Sequence, residues 1–288
     1  MKEVDMKRVL VVGATGYLGR HVVVELKRRG YWVRALSRRS DAFASNEFAP
    51  DEVYVGEITQ PETLTGLTDN IEYIFSSVGI TRQRDKVGFW DVDYRGNQAI
   101  LNLALAAGVS KYVIISVMRP ELVRHLDIVG AREAFVDELS KSGMDYAVVR
   151  ATGFYSDMME FLNMANSGRI YLFGSGENRM NPIDGSDAAR ICADAFDQKE
   201  HEIEIGGPDV LSYNEVAKLA FSAVNKSPKI TYLPGWLVST LIAMLYPFNH
   251  KLYTTLSFFA TAGREDIVAP IVQGRSLADA YRNAAKAL

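Results

Sequence analysis

Apolar and polar residues along this chain alternate between two rhythms. Short apolar runs end in turn residues, and longer stretches between them place apolar side chains three and four apart. The runs predict strands at Lys7–Val12, Trp32–Leu36, Val53–Val55, Ile71–Phe75, Lys111–Ile115 and Asp145–Val149. The longer stretches predict helices at Tyr17–Arg29, closed by Gly30, and from about Val87 to Ala107, closed by Gly108. A further long helix runs to Ser142–Gly143. Strands that alternate with helices form a parallel sheet with both faces covered, so the pattern predicts an α/β, doubly wound, mostly parallel sheet.

The pattern changes after Arg150, where Gly, Asn and aromatic residues become frequent up to Asn181–Pro182 and helices then dominate. The expected organisation is a core over residues 1–150 and a smaller, mainly helical region over 151–288, partly interleaved with it. Ser212–Asn225 reads as an amphipathic helix opened by Ser212 and Glu215 at capping-box spacing, and Lys229–Pro234 as a strand. Trp236–Tyr246 and Leu252–Ala262 are two very apolar stretches separated by Pro247–His250. Two uses stay open for them: a lid or core, or a contact with a protein partner, a second copy or a membrane surface.

Composition narrows the picture by exclusion. The 288 residues are 48% hydrophobic, ample for a core, and a net charge of −3 makes no electrostatic case for nucleic acid. The single cysteine, Cys192, has no internal disulfide partner, which fits a reducing compartment and a cytoplasmic location. Its helical surroundings suit a buried small hydrophobe better than a nucleophile. No secretory signal, transmembrane span or metal-binding cluster is expected.

The first strand leads into Gly13-Ala-Thr-Gly16-Tyr-Leu-Gly19, three glycines spaced three apart before a helix. That is how a buried strand turns into a helix around a bound pyrophosphate. Gly13 allows the sharp turn, Gly16 lets backbone approach the phosphates, and Gly19 lets the helix pack on the strand. The helix N-terminus offers amide N–H groups and partial positive charge to the anion. Thr15, Tyr17 and Leu18, between the glycines, belong to the same expected cofactor contact. The spacing is one residue longer than the usual G-x-G-x-x-G. A dinucleotide site also needs a reader for the adenosine ribose. Where an acid would bind the ribose 2′-OH of NAD, this chain has Ser37, Arg38 and Arg39, with no acid before Asp41. Arginines suit a 2′-phosphate, so NADP(H) is expected over NAD(H), the other reading being two solvated arginines. Glu57, after the third strand, is placed to accept from the adenine amino group or to stand in a solvated turn. Ser77, Val78 and Gly79 end the fourth strand and are expected along the cofactor path.

With these residues in view, the chain resembles an atypical short-chain dehydrogenase/reductase of the NmrA-like, extended NAD(P)-binding Rossmann type. The resemblance rests on Gly13–Gly19, Val33–Arg38, Ser140–Arg150 and Asn181–Asp187. It implies a Rossmann sheet with NAD(P) across the strand ends and a small C-terminal substrate region. Members include reductases of small aromatic or quinone-like substrates and redox sensors that bind NADP without turnover.

The resemblance also implies a Tyr-x-x-x-Lys pair on the helix after the fifth strand, with a serine at that strand's end. No lysine here has a tyrosine four residues before it; the matching place reads Ile128-Val-Gly-Ala-Arg132. Isoleucine supplies no proton, and arginine stays charged, although it can bind ribose or phosphate. Three readings follow. Another group supplies the proton: His125, expected on the same helix face as Arg132, or Tyr155, each with a bland alternative as a solvated or core side chain. Or hydride adds to a conjugated acceptor and water finishes the reaction. Or there is no turnover, and the bound cofactor changes the shape presented to a protein partner. Ser116 ends the fifth strand, where it is expected either to face the nicotinamide, in contact with cofactor and substrate, or to cap the strand. Thr152, Gly153 and Phe154 follow the sixth strand and are expected beside the nicotinamide.

Overall fold

The computed structural model describes residues 6–44, 49–79 and 87–288. Contacts divide the chain into two compact units. One holds residues 1–116, 130–150 and 188–203; the other holds 117–129, 151–187 and 204–288.

The first unit is built on β1 (Arg8–Val12), α1 (Tyr17–Arg28), β2 (Trp32–Ser37), β3 (Glu52–Val55) and β4 (Tyr73–Ser76). After these come α2 (Asn97–Ala107), β5 (Lys111–Val117), α3 (Asp127–Lys141) and β6 (Asp145–Ala151). Val9, Leu10, Val11 and Val12 are all fully buried, as a strand covered on both faces requires. On α1 the buried residues Leu18, Val22, Val23 and Leu26 follow the helical period, and Gly30 closes the helix at φ +83°.

β1 pairs in parallel with β2 (Val9 opposite Val33) and with β4 (Val9 opposite Tyr73). With β9 (Glu202–Ile205) at one edge, the seven-stranded sheet runs β3-β2-β1-β4-β5-β6-β9. The strand order reverses between β1 and β4, and such a switch point opens a crevice at the carboxyl ends of the strands. Gly13 and Ser77 stand at those ends.

The stretch expected as one helix from Val87 to Ala107 is two elements. Trp90–Gly96 is a π-helical segment, and α2 continues from it. Gly96 belongs to this wider turn, and a Cβ there would stand 2.6 Å from Ile58 Cγ1. Asp93 and Asn97 are both buried. Asn97 has a core role. Its Oδ1 accepts from Ser76 Oγ at 2.7 Å and Tyr112 at 3.0 Å, and its Nδ2 donates to the Asp93 carbonyl.

The second unit contains α4 (Tyr155–Asn166), β7 (Ile170–Phe173), β8 (Arg179–Met180), β10 (Leu211–Ser212) and α6 (Tyr213–Ala223). It also holds β11 (Ile230–Leu233), α7 (Gly235–Leu245), α8 (His250–Ala262) and α9 (Leu277–Ala285). β7 pairs in parallel with β11, and β8 antiparallel with β10. α4, α6 and α9 enclose a core that includes Leu162, Phe221, Leu277 and Tyr281. Ser212 caps α6 as its spacing predicts, with both bonds of the capping box formed. α5 (Gly185–Asp194) crosses the boundary between the units. Among the described residues, no helix is long and apolar enough to cross a membrane.

Candidate functional site

The glycine loop joins β1 to α1 in the geometry its sequence implies. Gly13 sits at φ +81°, and a Cβ there would stand 2.8 Å from the Val78 amide nitrogen. The loop therefore lies directly against the end of β4, where the Ser77 amide donates to the Val12 carbonyl at 3.0 Å. Gly19 is needed for packing: a Cβ would lie 2.1 Å from the Gly13 carbonyl oxygen. Gly16 is exposed, and a Cβ there would meet only that same oxygen, at 3.2 Å. Thr15 and Tyr17 form an exposed lip beside it, while the Leu18 side chain is buried. What Leu18 can offer a ligand is its first-turn amide, since the first amides of a helix have no partner within it.

At the end of β2, Ser37 is buried and organises the turn. Its hydroxyl donates to the Arg39 carbonyl at 2.9 Å and accepts from the Arg39 amide at 3.1 Å. The Arg38 and Arg39 side chains project into solvent. Arg38 Nε lies 3.7 Å from Glu57, and Arg39 Nε lies 3.5 Å from Asp41. Glu57, expected either at the adenine amino group or in a solvated turn, also stands beside Arg38.

Arg132 projects from α3 against Gly79. Its Nη2 donates to the buried Asp93 carboxylate at 2.5 Å and to the Val78 carbonyl at 3.1 Å. The fit is close enough that a Cβ at Gly79 would stand 1.6 Å from that nitrogen. Among the described residues, the buried Arg132 Nε has no hydrogen-bond partner. A charged donor left over at the crevice, an open backbone at Gly16 and a bare helix N-terminus together fit an anionic dinucleotide.

Ser116, at the end of β5, donates to the buried Glu133 carboxylate at 2.5 Å. Arg150 binds the two Glu133 oxygens at 3.0 and 3.1 Å and also pairs with Glu202. Burial works against the Arg150 charge, but the Glu133 and Glu202 carboxylates outweigh it and raise its pKa above the ordinary value. Arg150 anchors this buried network. Ser116 therefore faces a carboxylate, with its proton already committed.

The other two proton-donor candidates fare differently from expectation. His125 is not on the helix face shared with Arg132: α3 begins at Asp127, and His125 lies in the exposed turn before it. Tyr155, in the second unit, is 2% exposed and donates to the Arg275 carbonyl at 2.7 Å. Its hydroxyl satisfies backbone inside the core, so the core reading replaces the catalytic one. Also in that unit, the Thr152 hydroxyl donates to the Asn181 carbonyl at 2.6 Å. Gly153 adopts φ +147°, and Phe154 bridges to Ile183. Cys192 is fully buried, and burial pushes its thiol pKa up, as a packing residue rather than a nucleophile.

Asp93 and Glu133 were not found from the sequence. Glu133 had one available signal, its position next to Arg132. Asp93 had none, because the π-helical turn breaks the 3.6-residue period that would have marked it as facing inward.

Comparison with known proteins follows the same lines. Residues 13–199 match a family model described as NAD(P)H-binding. The chloroplastic divinyl chlorophyllide a 8-vinyl-reductase of Zea mays is 30% identical over 261 residues, 82% of this chain and 64% of that protein. The chain thus spans less than two thirds of that relative's length. Photosystem II assembly factor Ycf39 of Trieres chinensis is 25% identical over 83% of this chain and 76% of its own. Among solved structures, the triphenylmethane reductase of Citrobacter sp. superposes with a TM-score of 0.76 at 15% identity, covering 97% of this chain and 99% of that one. An Escherichia coli NADPH-dependent quinone oxidoreductase complexed with NADPH gives 0.75 at 15% identity, over 96% and 99%. At these identities the structural likeness establishes the Rossmann fold.

Proposed function

Because the chain belongs to the NAD(P)H-binding family of atypical, NmrA-like short-chain dehydrogenase/reductases, we propose that it is a reductase of a small, apolar, conjugated acceptor. The carrying observation is that the polar side chains at the family's catalytic positions are committed elsewhere. Ser116 donates to Glu133, Arg132 is a permanent cation clamped by Asp93, and Ile128 stands where the tyrosine would.

A carbonyl that takes hydride at carbon needs a proton at oxygen, and none of these residues releases one. A conjugated acceptor spreads the new negative charge over its π-system, so water can deliver the proton after hydride arrives. Bound NADPH supplies the hydride. Gly13, Gly16 and the first turn of α1 are assigned to its pyrophosphate, Arg38 and Arg39 to the 2′-phosphate, and Glu57 to the adenine amino group. Ser77, Val78 and Gly79 line its path, and Arg132 offsets charge there. The preference for NADP(H) is supported by two exposed arginines where an acid would read the 2′-OH of NAD. Substrate selection is assigned to the region after Arg150, including Thr152, Gly153 and Phe154. The maize relative supports this reading, since its name makes it a reductase of a vinyl group, which accepts hydride at carbon.

The test is NADPH oxidation against a panel of quinones, enones and saturated aldehydes. Quinones or enones are expected to turn over and saturated aldehydes to stay inert. Tight NADPH binding without turnover on any acceptor would establish the second reading, a cofactor-sensing factor that acts through a protein partner. The Ycf39 relatives, named as assembly factors, favour that reading.

A further inference from the structure

The helical pair α7 and α8 in the second unit has no function in the reading above. α7 is apolar but for Ser239 and Thr240, and a helix of that kind needs cover on most sides. It has little. Of the 24 residues in the two helices, 11 in α7 and 13 in α8, only Val238, Ile242, Thr254 and Ala260 are buried. Trp236 is 73% exposed, Phe248 in the connecting turn is 87% exposed, and Leu241, Met244, Tyr246 and Phe259 are exposed as well.

Two observations say what covers this face. The first concerns polar groups. A protein interface carries roughly one hydrogen bond per 100–200 Å², offered by a polar rim. Two hydroxyls of the pair are spent on their own helix, Thr240 donating to the Trp236 carbonyl and Thr255 to the Lys251 carbonyl, each at 2.9 Å, and Ser239 accepts from Arg264. Hydroxyls engaged in this way suit a surrounding that offers no partners. The second is charge. Between Glu215 and Glu265 lie 49 residues without one Asp or Glu, and they carry Lys218, Lys226, Lys229, Lys251 and Arg264. Two of these cations are placed at the helical pair, Lys251 on α8 and Arg264 just past it, donating to the Gly235 carbonyl and Ser239 of α7, while Asp127 pairs with His250 at 2.9 Å; in a chain of net charge −3 the stretch is net positive.

We propose that α7, α8 and their connecting turn dock on the surface of an anionic lipid bilayer. Trp236, Tyr246 and Phe248 enter the headgroup region, and the cations are drawn by lipid phosphates. Neither helix is long enough to cross, so the pair lies on the membrane.

The experiment is sedimentation of the full chain with vesicles of equimolar phosphatidylglycerol and phosphatidylcholine, and with pure phosphatidylcholine, at 0.1 and 0.5 M salt. The chain is expected to sediment with the anionic vesicles at least about tenfold more tightly than with neutral ones, and more weakly at high salt. The double variant Trp236→Ser, Phe248→Ser is expected to lose about tenfold or more in vesicle affinity. Both side chains are exposed, so its melting temperature and NADPH affinity are expected to match the parent. Three results would overturn the proposal: no sedimentation, sedimentation that ignores lipid charge, or sedimentation unaffected by the two substitutions. A dimer in light scattering that the double variant converts to monomer would assign the face to a second copy and overturn it too.

Discussion

Two residues decide how the crevice is built. Gly19 packs the first turn of α1 so closely that a Cβ would lie 2.1 Å from the Gly13 carbonyl, inside any tolerable contact. Backbone cannot rotate away as a side chain can, so Gly19→Ala must pry the loop from the helix. We expect at least about tenfold weaker NADPH binding by fluorescence titration, the order of one lost charge-assisted phosphate contact. The second residue is Arg132. Its partner Asp93 is 1% exposed, so removing the guanidinium leaves a buried carboxylate with its main counter-charge gone. Arg132→Met is expected to cost about 3–5 kcal/mol in urea denaturation, the range for breaking a buried pair from one side. Asp93→Asn with Arg132→Met is expected to recover much of that loss, because the double change removes both charges. Costs of Arg132→Met and Asp93→Asn that simply add in the double variant would show that the pair is not energetically coupled.

At the scale of elements, legibility followed the range of the interactions. α1 was readable from local signals: apolar spacing at Val22, Val23 and Leu26, and Gly30 at its end. The capping box of α6 was readable for the same reason, since Ser212 and Glu215 are three residues apart. The π-helical turn at Trp90–Gly96 was not, because the contact that Gly96 makes with Ile58 is set by the sheet and leaves no periodic trace. The Ser116–Glu133–Arg150 network was likewise out of reach, being assembled from β5, α3 and β6. His125 was misplaced onto α3 because the helix start at Asp127 lacks a strong local signal. Electrostatics at the end of α1 gives a test of such an element. The Arg28 guanidinium, and then that of Arg29, hold Glu25 below the ordinary carboxylate range. A carboxylate with a lowered folded-state pKa stabilises above its unfolded value, and that contribution fades as pH falls through the folded one. Stability is therefore expected to drop between pH 4.5, the ordinary value for Glu25, and more acid solution. Glu25→Gln is expected to flatten that part of the profile in denaturant melts at stepped pH.

For the whole molecule, the sheet order places the glycine loop at the one reversal between β1 and β4, so the bound cofactor and the folded sheet depend on each other. Linkage turns that dependence into a measurable shift. A ligand at 100 times its dissociation constant stabilises the folded state by about 2.7 kcal/mol, and for a chain of this size each kcal/mol moves the midpoint by roughly 2–4 °C. Saturating NADPH is therefore expected to raise the melting temperature by about 5–10 °C. The cofactors differ by one 2′-phosphate, which the proposed reading gives to the exposed Arg38 and Arg39. NADH at the same concentration is then expected to give a clearly smaller rise. In Arg38→Ala the rise with NADPH should fall to that with NADH, while the value without cofactor stays put, because Arg38 is exposed and its Glu57 contact at 3.7 Å adds little to stability. A larger shift with NADH than with NADPH in the parent chain would reverse the assigned cofactor preference and leave the dinucleotide site itself intact.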